Sequence, residues 1–258
     1  MNADQPMNNE DNALSNNAAP DFPPLQKGTL YLVATPIGNM EDITLRAIRT
    51  LKDCDVIAAE DTRRTGLLLQ RLGFRKPLLS YHTFNEARRE NELIQRLKEG
   101  KIIALVTDAG SPGISDPGQR IASAAIEAGL RVESVPGPCA FIAALSASGL
   151  PTDHFYFLGF LPHKSGQRNK SLTSALACPG VVVLYESPYR IDKLLHELQT
   201  LAPERNIVLA RELTKKFEEW FRGTPAELIE KTSTRSLKGE FVVLIGPSDS
   251  NPPAINPD

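Results

Sequence analysis

Aromatic residues are scarce: they fill 6 % of 258 positions, with a single tryptophan. A surface built to stack many bases has little to draw on. Cysteine is scarcer still. Cys54, Cys139 and Cys178 are too few for a disulfide scaffold and show no zinc spacing, which suits a reducing cytosol. The histidines, His82, His154, His163 and His196, also lack metal-ligand spacing, so no metal is expected. No nucleophile elbow or Cys/His pair occurs. No apolar run approaches the roughly 18 residues a membrane span needs, so no membrane partner is expected. A basic excess is missing too. The 29 Lys and Arg face 31 Asp and Glu, a net charge of −2 that speaks against a nucleic-acid binder.

Position alters that last exclusion. Residues 1–26 carry Asp4, Glu10, Asp11 and Asp21 and no base, and residues 247–258 carry Asp249 and Asp258 and no base. The remaining body has 25 acids against 29 bases, a charge of +4. Both ends are rich in small polar residues and proline. They hold too few large apolar groups to offset ordering entropy, and disordered tails are expected over 1–26 and 247–258. The first has neither the basic start nor the apolar run of a signal peptide. A cytoplasmic location is expected.

Between the tails, apolar runs of strand length at 29–34, 56–59, 102–106 and 132–135 alternate with helix-period segments at 43–51, 65–72, 86–97 and 121–128. Such alternation implies βαβ units and a largely parallel sheet, with ligands beyond the carboxyl ends of the strands. After Pro151 the pattern changes. Strand candidates at 155–158, 181–185, 207–210, 217–221 and 241–245 have fewer helices among them (171–177, 191–198, 226–231), which favours a mixed sheet. Two α/β domains, 27–150 and 151–246, with a cleft between them are expected.

Three loops rich in Gly and Pro fall at one rim of the first sheet: TPIGNMEDITL (35–45), LVTDAGSPGISDPG (105–118) and VPGPCAFIAALSASGLP (135–151). The first is neither a dinucleotide fingerprint nor a Walker A loop. The second is longer than the roughly 2–6 residues a plain strand–helix connection needs. Its glycines let a ligand approach the main chain. Asp116 reads as a helix cap. At the same rim AEDTRRT (59–65) gathers Glu60, Asp61, Arg63 and Arg64. The second half adds YESPYR, a charged turn in ARELTKKFEEWFRGT, and a basic loop KSGQRNK with Lys164, Arg168 and Lys170.

These strings, with GFLP and GEFVVLIG, occur in an order that resembles the bacterial ribosomal RNA small-subunit methyltransferase I family over roughly residues 28–246. The resemblance implies a tetrapyrrole-methylase fold with S-adenosylmethionine between two domains, usually as a homodimer. It also implies 2′-O-methylation of a decoding-centre cytidine in 16S rRNA of the small ribosomal subunit. Matched to the family strings, the cofactor contacts fall on Thr35, Pro36, Ile37, Gly38, Asp108, Ala109, Gly110, Ser115, Pro138, Cys139, Glu186, Ser187 and Pro188. Cys139 stands where the family commonly has Ser, and Tyr189 where His is common. The family's basic helical C-terminal extension, carried by some relatives, has no counterpart after Gly246.

A ribose hydroxyl is a weak acid, so a nearby base would speed its methylation by roughly 10²–10⁴-fold. Glu60, Asp61 and Glu212 are the expected bases. Arg63, Arg64, Lys164, Arg168, Arg211 and Lys215 are the expected RNA contacts, in a positively charged cleft. Tyr81, Phe84, Tyr189 and Phe217 are the candidate stacking surfaces. Two rivals stand beside this reading. A tetrapyrrole C-methyltransferase would normally open on a GxGPGD-type loop, which TPIGNMED is not. A SAM- or RNA-binding assembly factor without turnover would use the same loops.

Overall fold

The computed structural model describes residues 23–233 and 237–248. In the first half, β1 (Thr29–Val33), β2 (Val56–Ala59), β3 (Leu78–Ser80), β4 (Ile103–Val106) and β5 (Arg131–Val135) pair in the order β3-β2-β4-β1-β5, all parallel. The apolar runs of the three central strands β1, β2 and β4 are buried on both faces, as a parallel sheet between helix layers requires. Helices α1 (Leu45–Asp53) and α2 (Thr62–Arg71) press Ala47, Leu51 and Leu69 onto one face. From α3 (Glu86–Lys98) and α4 (Gln119–Glu127), Leu93, Leu97, Ile121 and Ala125 cover the other. The chain therefore leaves β1 and β4, which are neighbours, toward opposite faces. That divergence is the switch point at which open α/β sheets form a crevice.

The second half forms a mixed sheet, as the sparse helices predict. Its elements are β6 (Phe155–Phe160), α6 (Ser165–Leu176), β7 (Val181–Glu186), α7 (Ile191–Leu201), β8 (Ile207–Arg211), β9 (Glu219–Gly223), α8 (Pro225–Ser233) and β10 (Phe241–Ile245). The strand order is β6-β7-β10-β8-β9. Only β6 and β7 run parallel; the other pairs are antiparallel. Leu172, Leu194, Leu198 and Leu228 of the three helices fill one face. The other face is covered by α5 (Ala140–Ala147), whose Ala144 and Leu145 pack on Val183, Val208 and Val242. This helix lies before the break expected at 150, yet its apolar side belongs to the second sheet. The hand-over between sheets thus follows the Pro136-Gly137-Pro138 turn.

Two expectations change here. The basic loop at 164–170 is the first half of α6, with Lys164 as its exposed N-cap. Arg168 is 2 % exposed and paired with Glu197 of α7, so a helical register that points it inward removes it from any RNA contact. Residues 1–22 and 249–258 of the expected tails lie outside the described residues. Residues 23–26 lie against the body. Arg49 donates to the Pro23 carbonyl at 2.7 Å, the Gln26 amide donates to the Tyr31 hydroxyl at 3.0 Å, and Leu25 packs beneath α1.

Breaking a buried ion pair leaves one charge without its partner, at a cost of several kcal/mol. Glu197 keeps a little solvent access, so Arg168→Met is expected to lower unfolding free energy by about 3 kcal/mol, read as a fall in the urea midpoint. An unchanged midpoint would mean the pair contributes nothing.

Candidate active site

The switch point is stitched by backbone. The Thr35 amide donates to the Gly110 carbonyl and the Gly110 amide donates to the Thr35 carbonyl, each at 2.9 Å, while the Thr35 hydroxyl donates to the Thr107 carbonyl at 3.1 Å. The loop after β5 joins them, since the Ser111 hydroxyl donates to the Pro138 carbonyl at 3.1 Å. Three loops that the sequence spaces tens of residues apart are one rim.

The two domains meet across this rim at glycines. A Cβ on Gly38 would lie 2.5 Å from Lys215 Cγ, 2.7 Å from Thr214 Oγ1 and 2.9 Å from the Leu213 carbonyl oxygen. One on Gly159 would lie 2.7 Å from Ser115 Oγ. Ser115, Glu212 and Thr214 occupy the left-handed region, with φ of 61°, 50° and 64°. For residues with side chains this conformation costs of order 1–3 kcal/mol each and clusters at functional sites.

Between the domains lies a cavity of about 460 Å³, within the range of small-molecule sites. Of the residues expected to contact a cofactor, Ile37, Asp108, Ala109, Gly110, Ser115, Cys139, Glu186, Ser187 and Pro188 line it. Thr35, Pro36, Gly38 and Pro138 do not. Thr35 is buried in the stitch, Gly38 is solvent-exposed but abuts the 213–215 turn, and Pro138 faces a smaller hollow behind the rim. Tyr185, Phe160, Leu213 and Val242 supply apolar wall that sequence reasoning did not single out. Phe160 is 60 % exposed, with its ring 5.5 Å from that of Tyr185.

The electrostatics invert the expected positive cleft. Six carboxylates line the cavity (Glu60, Asp108, Asp116, Glu186, Glu212 and Glu240) against two cations, Arg64 and Lys215. Most of the acids are tied. Glu60 accepts the Asp108 amide at 3.2 Å, and Asp108 pairs with Arg64 at 3.1 Å. Glu186 pairs with Arg190 and accepts the Ser187 amide. Lys215 bridges Glu212 and Glu240, each at 2.9 Å. Burial works to raise the Glu212 carboxyl, but the Lys215 ammonium and the Glu240 amide outweigh it, and its pKa falls below the ordinary value.

Four more expectations need correction. Asp61 caps α2, accepting the Arg63 amide at 2.8 Å and pairing with the Arg63 guanidinium. These contacts hold its carboxyl far below the usual range, which makes it a poor proton acceptor. Arg211 donates to Glu219 at 3.1 Å and to the Lys238 carbonyl at 2.6 Å, so its guanidinium braces the second domain. Tyr81 is fully buried, whereas Phe84, Tyr189 and Phe217 are exposed. The sequence makes Asp116 a helix cap, but the N-cap of α4 is Gly118, at φ 143°. The Asp116 side chain opens into the cavity instead. The following Pro117 and the SDPG spacing look like capping, and only the cavity separates the roles.

The tetrapyrrole (corrin/porphyrin) methylase profile matches residues 29–229. The ribosomal RNA small subunit methyltransferase I of Halalkalibacterium halodurans is 47 % identical over 219 residues, 85 % of this chain and 76 % of that protein. The chain belongs to that methyltransferase I family. The Synechocystis member is 49 % identical over 219 residues, 84 % of this chain and 78 % of its own. Among solved structures, the uroporphyrin-III C-methyltransferase of Thermus thermophilus complexed with S-adenosylhomocysteine shares the fold. Its TM-score is 0.59 at 20 % identity, over 84 % of this chain and 97 % of that one.

The glycine contacts separate site from scaffold within this member of the family. Gly38→Ala is expected to lower stability by about 1–3 kcal/mol through overpacking. Gly66→Ala, inside α2 with its nearest atom at 3.8 Å, is expected to raise stability by up to about 1 kcal/mol. Chemical unfolding of the two variants checks both signs.

Proposed function

We propose that the protein transfers a methyl group from S-adenosylmethionine to the 2′ oxygen of a cytidine in the decoding centre of 16S rRNA, acting on the small ribosomal subunit in the cytoplasm as a homodimer. The reading rests on one observation above others. Relatives that share 47–49 % identity over about 85 % of the chain carry the name ribosomal RNA small subunit methyltransferase I.

The cavity supports the donor. A site with six carboxylates and two cations favours a cationic ligand over a neutral one, and its apolar wall suits a purine ring. When bound, S-adenosylmethionine supplies an electrophilic methyl on a sulfonium. The residues present do the rest. Ile37, Asp108, Ala109, Gly110, Ser115, Cys139, Glu186, Ser187 and Pro188 would line the donor's site, and Thr35, Pro36, Gly38 and Pro138 would hold the loops behind it. Orientation of this kind can supply about 7–11 kcal/mol in favourable cases.

An acidic interior repels RNA phosphates, so the grip must come from outside the cavity. Arg63 and Arg64, ion-paired but with side chains 87 % and 69 % exposed, and the exposed Lys164 are the cations placed to do this at and beyond the cavity mouth. Phe84, Tyr189 and Phe217 offer stacking surfaces for a splayed target.

Incubation with tritiated S-adenosylmethionine and small ribosomal subunits is expected to label ribose at one cytidine. Label in porphyrinogen, or binding without label, would overturn the proposal. Replacing Arg63 and Arg64 together by Ala is expected to weaken subunit binding and to flatten the slope of log affinity against log salt by about 1.4, two single-strand phosphate contacts. Filter binding across a salt series measures it.

A further inference from the structure

Asp116 differs from every other acid in the cavity. Glu60, Asp108, Glu186, Glu212 and Glu240 each hold a backbone amide or a cation. Among the described residues Asp116 has no hydrogen bond and no ion pair. It sits on the glycine-rich loop at the switch point, between Ser115, held left-handed against Gly159 of the other domain, and Gly118, where a Cβ would lie 3.0 Å from the Gly113 amide nitrogen. The loop is thus fixed on both sides of a carboxylate whose oxygens are free and face the space between the domains.

We propose that Asp116 is the general base of the reaction and that it takes the proton of the ribose 2′ hydroxyl. The inference rests on the ribose-methylation reading above. A lone pair of the 2′ oxygen forms the new O–CH₃ bond, the methyl–sulfur bond breaks with its electron pair going to sulfur, and the hydroxyl proton passes to an Asp116 oxygen. The sulfonium becomes a neutral thioether, and the carboxylate becomes a neutral acid that solvent can deprotonate through the open cleft.

The surroundings tune the group for this task. The side chain is solvent-accessible, yet the protein walls around it, followed by the negative charges of Glu60, Asp108 and Glu240, push its pKa up to about 6. Those three acids are the titratable groups that act on it, and its own charge in turn raises the Tyr185 hydroxyl on β7. A base with a pKa near the working pH combines a large ionised fraction with a strong pull on the proton. The carboxyls of Asp61 and Glu212, both held low, lack that pull.

The test combines Asp116→Asn with Asp116→Glu in the full chain. Three readouts are needed. First, carbon-13 carboxyl titration of the free protein is expected to show one aspartate with a midpoint near 6 that is absent in Asp116→Asn. A midpoint at the ordinary aspartate value of about 3.9 overturns the proposal. Second, calorimetry is expected to give Asp116→Asn an S-adenosylmethionine affinity within about threefold to tenfold of the parent, because one of six carboxylates is lost. Third, single-turnover methylation of small subunits is expected to fall by roughly 10²–10⁴-fold in Asp116→Asn and to recover in part in Asp116→Glu. In the parent the rate should rise with pH through about 6 and level off above it, since the base must be ionised. That limb should vanish in Asp116→Asn. If the parent labels ribose and Asp116→Asn labels it equally fast, the base assignment fails and the function stands. If the parent labels no ribose, the function itself fails.

Discussion

Two reciprocal backbone hydrogen bonds, between Thr35 and Gly110, hold the site together. They join the ends of β1 and β4, neighbouring strands whose following helices cover opposite faces of the first sheet. With those loops fixed, the Pro138 carbonyl can receive Ser111 and draw in the third loop. The second domain then closes on a rim that already has a shape, through contacts at Gly38 and Gly159 too tight for any side chain. Close packing of this kind transmits displacement instead of absorbing it. A shift at the 213–215 turn therefore reaches the cavity wall directly.

Charge is organised in two zones. Along the cavity lining, acids outnumber bases six to two; at its mouth, Arg63 and Arg64 of α2 expose most of their side chains to solvent. The two zones answer the two ligands of a methyl transfer to RNA, since the donor is a cation and the acceptor a polyanion. Net charge, even after the tails are set aside, averages over both and reports neither.

Much of this was legible in the sequence, for identifiable reasons. Buried parallel strands read as unbroken apolar runs, so VIAA and IALV fell into place as β2 and β4. The edge strand β3, three half-buried residues, leaves no such signature and was not seen. The rim was found because glycine and proline mark costly backbone whatever the tertiary context. Side-chain direction was not legible. Arg168 belongs to a basic string and yet turns inward to Glu197, because α6 begins earlier than its apolar residues imply. Asp61 and Asp116 exchanged their expected roles. The first caps a helix and the second opens on the cavity, and both positions precede a helix, so local sequence cannot tell them apart. The positive cleft was misread for the same reason, since the matching carboxylates come from β2, β4, β7, β8 and the approach to β10.

The acidic lining bears on the end of the catalytic cycle as much as on its start. Coulomb attraction holds the donor only while sulfur carries its charge. In the proposed reaction, once the methyl has left, the sulfur is a neutral thioether that the acidic walls no longer attract, and the grip loosens without any movement of the protein. On the proposed function, a site charged to gather its donor is by that fact charged to let the spent donor go.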